Sequence, residues 1–325
     1  MPKRMAIASM VTLVAACAIA ACGGTDDAGD DASGSAAKKP DQVKIACIPK
    51  STENEFWLAT KAGCERAAKQ TGVQLLFGAA ETESDVQGEI NQVEDALAKG
   101  ADAIAVAPSA PDQLKPVLER AAKKVPVLLM DTDIPDMTGK TAYIGTNNLK
   151  AGTISGKYVV ENGKPGNYGI LTGDPGVTSV EDRVKGIKQA LAGSAIKIVA
   201  ELHVAGCAKD KGVSATEDML TAHRDLVGII AACGNPLLGG LQAIKQAGKK
   251  PEDMFLMSFD ALPESTALVG KGVIDGDIAQ FPGKFGEIGI KEGLDAANGE
   301  TIPKVIDSGV EVVTKDNAAE FKTFR

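Results

Sequence analysis

From residue 43 onward the chain keeps switching between two hydrophobic patterns, and this alternation restricts the fold more than any other feature. Eight short apolar runs recur: "VKIACI", "VQLLF", "AIAVA", "VPVLLM", "NYGILTG", "IKIVAEL", "LVGIIAA" and "MFLMSFD". Strands apolar on both faces must be covered on both faces, the condition of a parallel sheet between helix layers. The intervening segments have helical periodicity. Val86, Ile90, Val93 and Leu97 share one stripe over 83–99, and Leu238, Leu241 and Ile244 share one over 235–248. Gly248 is placed to cap the second of these helices, with Pro251 just beyond. The pattern predicts an α/β fold with doubly wound sheets. Roughly 280 residues are too many for one such sheet, so two are expected. The first series runs from 43 to about 145, and the second from "NYGILTG" to about 275.

In an open α/β sheet a ligand sits beyond the carboxyl ends of the strands. The residues just past the apolar runs are unusually polar or aromatic here. Lys50, Asn54, Phe56 and Trp57 follow the first run; Asp131, Thr132 and Asp133 follow "VPVLLM". Asp174, Thr178 and Arg183 follow "NYGILTG", Asn235 follows "LVGIIAA", Asp260 ends "MFLMSFD" and Gln280 ends "GDIAQ". Carboxylates and amides bond at fixed angles, a guanidinium offers a planar fork, and rings cover an apolar face. A small sugar, with C–H faces and an O–H rim, has the matching shape. Phe56 and Trp57 are expected to pack on its face, with Lys50 and Asn54 bonding its rim.

Each residue also has a plainer reading. Phe56 and Trp57 fit a helix-to-sheet core, and Lys50 a solvated surface. Asp131 fits a cap on the next turn, Asp260 a cap on the next helix, and Arg183 a surface pair with Glu181 or Asp182. Their shared position at the strand ends favours the joint reading.

The formal charge of −8 argues against phosphate-backbone binding, so no nucleic-acid partner is expected. The sequence has no G-x-G-x-x-G after the first strand, no P-loop and no G-x-S-x-G elbow. "GDPGVTS" is a weak candidate phosphate loop at a helix start. His203 and His223 are the only histidines and read as structural or surface groups. No enzyme activity, cofactor or metal is expected.

Lys3 and Arg4 precede the apolar stretch "MAIASMVTLVAACAIAA", which reads as an export signal over 1–21. Ile19-Ala20-Ala21-Cys22 resembles a bacterial lipobox with Cys22 as the lipid-bearing residue; Val14-Ala15-Ala16-Cys17 is a weaker match. The Gly/Ser/Ala/Asp-rich stretch over 22–42 reads as a flexible tether, so the folded body is expected to start near Val43. The expected location is the periplasm or cell surface, lipid-anchored. Export permits disulfides. Cys47, Cys64, Cys207 and Cys233 allow three pairings, of which Cys47–Cys64 with Cys207–Cys233 is the most local. The alternative is that they are small buried apolar side chains.

With "NEFW", "VPVLLMDTD", "YIGTNNLKAG", "EDRVKGI", "MLTAHRDLVGII", "FLMSFDALPE" and "GDIAQFP" in this order, the chain resembles the periplasmic sugar-binding proteins of the ribose-binding type. The likeness covers about 43–314. It implies two Rossmann-like lobes joined by a three-strand hinge, with the ligand in the interlobe cleft. The first lobe would hold 43–145 and 281–306, the second 146–280 and 307–325. The crossings would fall near 145–147, 278–280 and 307–309. Ligand contacts would come from Asn54, Phe56, Trp57, Asp131, Arg183, Asp260 and Gln280, and the partner would be an ABC permease served by a monomeric binding protein.

This sequence departs from the ribose-type pattern. Lys50 stands where those proteins carry a small hydroxyl residue, and Thr132 replaces a second arginine. Cys207 replaces a ring, and Cys233 falls at an amide position. Ribose itself is therefore not the expected ligand. "IPK" with a following aspartate also resembles the autoinducer-2 receptors, but "VTSVED" lacks their acidic–amide pair. Alternative readings keep the fold with a nucleoside or autoinducer-2-like ligand, or as the receptor of a chemotaxis or sensor-kinase partner. A repressor with this body would need a basic helix-turn-helix at its N-terminus, where this chain has a signal and an acidic linker.

Overall fold

The computed structural model describes residues 38–324. The expected export segment, Cys22 and the linker up to residue 37 lie outside the described residues. Regular structure begins with a turn of 3-10 helix at Pro40–Gln42, just ahead of Val43.

Every apolar run forms a strand. β1 (Lys44–Ile48), β2 (Gln74–Phe77), β3 (Ala103–Val106), β4 (Val127–Met130) and β5 (Ala142–Gly145) build a first sheet. Between them lie α1 (Glu55–Thr71), α2 (Val86–Ala98) and α3 (Pro111–Ala122). β6 (Gly166–Thr172), β7 (Ile196–His203), β8 (Leu226–Ala231), β9 (Phe255–Phe259) and β10 (Gly276–Ala279) build a second. Its helices are α4 (Asn148–Asn162), α5 (Thr178–Leu191), α6 (Lys209–Ala222), α7 (Gly234–Gln246) and α8 (Pro263–Gly270). α9 (Pro282–Ala297) returns to the first sheet, β11 (Val305–Asp307) joins its edge, and β12 (Glu311–Val313) joins the edge of the second.

The strand orders are β2-β1-β3-β4-β5-β11 and β7-β6-β8-β9-β10-β12. The two sheets thus repeat one plan. Pairing is parallel throughout except between β12 and β10. Alternate side chains of β1 go to opposite layers. Ile45 and Cys47 pack in one core with Phe285 and Ile290 of α9, while Ala46 and Ile48 pack in another with Leu114 and Leu118 of α3.

Side chains of the preceding residue fix the starts of three helices. Asn54, Asp85 and Asn147 each accept a backbone N–H in the first turn of α1, α2 and α4. Gly248 follows α7 with φ +72°, the left-handed conformation anticipated for it. Two disulfides are formed, Cys47–Cys64 and Cys207–Cys233. The first ties β1 to α1. The second ties the turn at Ala205–Cys207 to the start of α7.

The chain passes between the sheets after β5, after β10 and after β11. Two of these passages touch: Ser308 N–H donates to Gly145 O at 3.0 Å, and the Thr146 and Ser308 hydroxyls lie 3.4 Å apart.

Candidate functional site

The parallel strands of both sheets end toward one shared cavity. Its wall includes all eight residues singled out from the sequence: Lys50, Asn54, Phe56, Trp57, Asp131, Arg183, Asp260 and Gln280. The side chains close in on one another and leave a small cavity of about 40 Å³.

The repeated plan places two carboxylates at equivalent points. Asp131 follows β4 and its N–H donates to Ile144 O of β5 at 2.9 Å; Asp260 follows β9 and its N–H donates to Ile278 O of β10 at 2.7 Å. Both take a positive φ, 60° and 80°. Non-glycine residues rarely hold that conformation, and it costs of order 1–3 kcal/mol. Here it turns each carboxylate off its strand end into the cavity.

Lys50, Asp131 and Arg183 are only 5%, 4% and 3% exposed, which rules out the surface reading of Lys50 and the surface pair for Arg183. Lys50 Nζ lies 3.1 Å from Asp131 Oδ2. Arg183, on α5, reaches Asp131 at 3.7 Å and Asp260 at 3.4 Å, so it links carboxylates carried by the two sheets. Its Nε donates to Asn148 Oδ1 at 2.9 Å and its Nη1 to Ala232 O at 2.9 Å, while the ring of Phe259 lies 4.2 Å from the guanidinium carbon. Asp260 caps no helix through α8. It accepts Gly234 N–H at 3.0 Å, at the start of α7, and Gln280 Nε2 at 2.6 Å.

Charges in this setting shift one another. Burial pushes the Asp131 carboxyl up, but Lys50 and Arg183 beside it more than reverse this and hold it below the ordinary carboxylate range. Burial raises Asp260, with Arg183, Gly234 N–H and Gln280 opposing only in part.

Asn54 and the ring pair are more committed to the protein than the sequence suggested. Asn54 Oδ1 accepts Phe56 N–H at 3.0 Å as the cap of α1, and its Nδ2 donates to Glu83 at 3.0 Å. Phe56 packs edge-on against Trp57, with ring centroids 4.9 Å apart, and near Phe285 and Phe324. Trp57 Nε1 donates to Glu83 Oε1 at 2.7 Å, and Lys50 Nζ lies 5.2 Å from its ring centroid. Both rings therefore serve the core and the cavity wall at once.

Glu83, Ser179, Val180, Cys207 and Cys233 complete the wall. None was named as a ligand contact from the sequence. Glu83 lies past β2 in "ETESD", where the strand-end rule applied to the second run would have found it. Burial raises its carboxyl, against the nearby Lys50 and the hydrogen bonds from Trp57 and Asn54.

The sheets' loops also meet directly. The Thr132 and Ser179 hydroxyls are 3.0 Å apart, and Thr178 Oγ1 donates to Asp133 O at 2.7 Å. The start of α5, read from sequence as a weak phosphate loop, thus contacts the loop after β4.

The model for a periplasmic binding protein domain matches residues 45–301. The ribose import binding protein of Salmonella typhimurium is 25% identical over 273 residues, covering 83% of this chain and 90% of that protein. A D-ribose/D-allose-binding protein of Pseudomonas aeruginosa is 27% identical, covering 86% and 91%. Among solved structures, an ABC transporter periplasmic solute-binding protein from Actinobacillus succinogenes, with D-allose bound, superposes with a TM-score of 0.79 at 30% identity. It covers 86% of this chain and all of its own.

Proposed function

We propose, from the premise that this chain belongs to the periplasmic binding protein domain family, that it captures a small sugar or sugar-like polyol and delivers it to an ABC importer. The observation that carries the reading is the convergence on one cavity of charged side chains from both sheets, Lys50 and Asp131 from one, Arg183 and Asp260 from the other. The relatives' sugar ligands support the ligand class, and the departures at Lys50, Thr132, Cys207 and Cys233 support a ligand other than ribose.

In this reading 43–145 with 281–306 form one lobe and 146–280 with 307–325 the other, and the three passages between them act as the hinge. Ligand held by one lobe is enclosed when the other closes. Moving such an equilibrium from 1:99 to 99:1 takes roughly 5.5 kcal/mol of differential binding. Hydrogen bonds to charged groups, at about 1.5–3 kcal/mol each, supply it with two to four contacts. Closure excludes water and no bond of the ligand is broken. The protein is exported, tethered through a lipid on Cys22, and works as a monomer whose closed form is read by the permease.

The test is a thermal-shift screen of the purified protein against pentoses, hexoses, polyols and nucleosides, with calorimetry on the strongest hit. Arg183→Ala and Asp260→Ala are each expected to weaken that hit at least about tenfold. Unchanged affinity in both would overturn the site assignment.

A further inference from the structure

The charges around the cavity do not balance. Three carboxylates line it, Glu83, Asp131 and Asp260, against two cations, Lys50 and Arg183. Both cations are taken. Lys50 pairs with Asp131, and Arg183 lies between Asp131 and Asp260. Glu83 has no ion pair among the described residues. Its Oε1 accepts two neutral donors, Asn54 Nδ2 and Trp57 Nε1, and its Oε2 has no hydrogen bond among them. The lysines of the adjoining outer groove do not serve it, because Lys209 pairs with Glu264 and Lys211 with Asp210. A second, independent acceptor is also left over. Gln280 is 3% exposed, its Nε2 donates to Asp260, and its Oε1 is buried without a partner.

A buried acceptor without a donor is costly, and the part-buried Glu83 presents a carboxylate oxygen with no cation paired to it. A neutral polyol can donate O–H groups to both, but with all three acids ionised it leaves the cavity one negative charge in excess. A ligand with one ammonium group removes the excess and brings three N–H donors. We propose that the natural ligand is a monocyclic amino sugar or aminocyclitol, with its ammonium recognised by Glu83. The inference rests on the sugar-capture reading and narrows it. The small volume of the cavity argues against an amino-oligosaccharide, and the paired state of Lys50 and Arg183 leaves no free cation among the lining residues for an acidic sugar.

The experiment measures affinities by calorimetry for pairs that differ only by NH₃⁺ in place of OH: D-glucose with D-glucosamine, D-galactose with D-galactosamine, and scyllo-inositol with scyllo-inosamine. The best neutral hit of the wider screen is compared with its amino-deoxy counterpart in the same way. The amino member of the best-bound pair is expected to bind about ten- to a hundredfold tighter, and Glu83→Gln is expected to bring that ratio close to one. The wild-type ratio decides the question even where the variant does not fold. Neutral members binding as well as or better than their amino partners would overturn the inference and leave sugar capture standing, with Glu83 then carrying a proton. A preference for the amino member that survives in folded Glu83→Gln would overturn the assignment to Glu83. Silence across every pair and the wider screen would remove the sugar-capture reading and the inference together.

Discussion

Arg183 carries more of the cavity than any other side chain, because its fork is divided among four acceptors that only a planar guanidinium reaches together. Asn148 fixes Nε, Ala232 O and Asp260 take Nη1, and Asp131 lies toward Nη2. An ammonium keeps the charge but not the geometry. Arg183→Lys is therefore expected to retain the fold and to lose about ten- to a hundredfold in affinity for the screened ligand, read by calorimetry. Affinity within about threefold of wild type would mean that charge alone matters at this position. The residues around it were legible to different degrees. Asp131, Arg183, Asp260 and Gln280 could be found because each sits at or just past an apolar run or on the first turns of the next helix. Asn54 met the same rule, yet its oxygen caps α1. An asparagine ahead of a helix is as good a cap signal as a binding signal, and the sequence does not separate them. Glu83 was missed because the strand-end rule was not carried into the polar loop six residues beyond Phe77.

At the scale of elements, the cavity depends on how closely α4 and α5 approach. A Cβ at Gly152 of α4 would lie 2.0 Å from the backbone oxygen of Arg183, and one at Gly186 of α5 would lie 2.3 Å from Leu149 O. Real Cβ atoms do not approach that closely, so a side chain at either glycine must push the helices apart. Gly152→Ala is expected to destabilise the protein by about 1–3 kcal/mol, the usual cost of overpacking, and to weaken ligand binding by displacing Arg183. Chemical denaturation and calorimetry on the same sample check both effects. Lost stability with unchanged affinity would show that Arg183 adjusts independently of its helix. The main strands were legible because both faces are covered and the runs are continuously apolar. β5, β10, β11 and β12 were not among the eight runs, and β11 and β12 were the least legible. Each is three residues long, Val305 is 68% exposed, and their places are set by pairing with β5 and β10 far away in sequence. The disulfides were legible only as the most local of three pairings, since spacing alone does not bring sulfurs together.

At the scale of the whole molecule, burial pushes the carboxyls of two acids up toward neutral pH. Glu89 of α2 is fully buried. Its Oε2 accepts Ser109 N–H and Oγ–H, its Oε1 has no partner, and burial pushes its carboxyl up to about 8. Asp277 of β10 is likewise buried, accepts Ala261 N–H at 3.1 Å and Ser265 Oγ at 2.5 Å, and is pushed by burial to about 7. Between their ordinary and raised values the folded state holds protons that the unfolded chain has released. Stability therefore falls as pH rises through that window, by at most about 1.4 kcal/mol per unit for each group. Denaturant midpoints are expected to be higher at pH 5.5 than at pH 8.5, with Glu89→Gln and Asp277→Asn flattening the slope. A midpoint that rises across this range would contradict the assignment.

The central claim, that both lobes hold one ligand in a shared cavity, has a built-in reporter. Trp57 is the only tryptophan in the chain and lines the cavity on the side opposite Arg183's sheet. Titrating the best ligand of the screen while following tryptophan emission should give a saturable change. Its midpoint should match the calorimetric affinity in the wild type and move at least about tenfold higher in Arg183→Ala. Heat of binding with the Trp57 emission unmoved would place the ligand elsewhere and contradict the account.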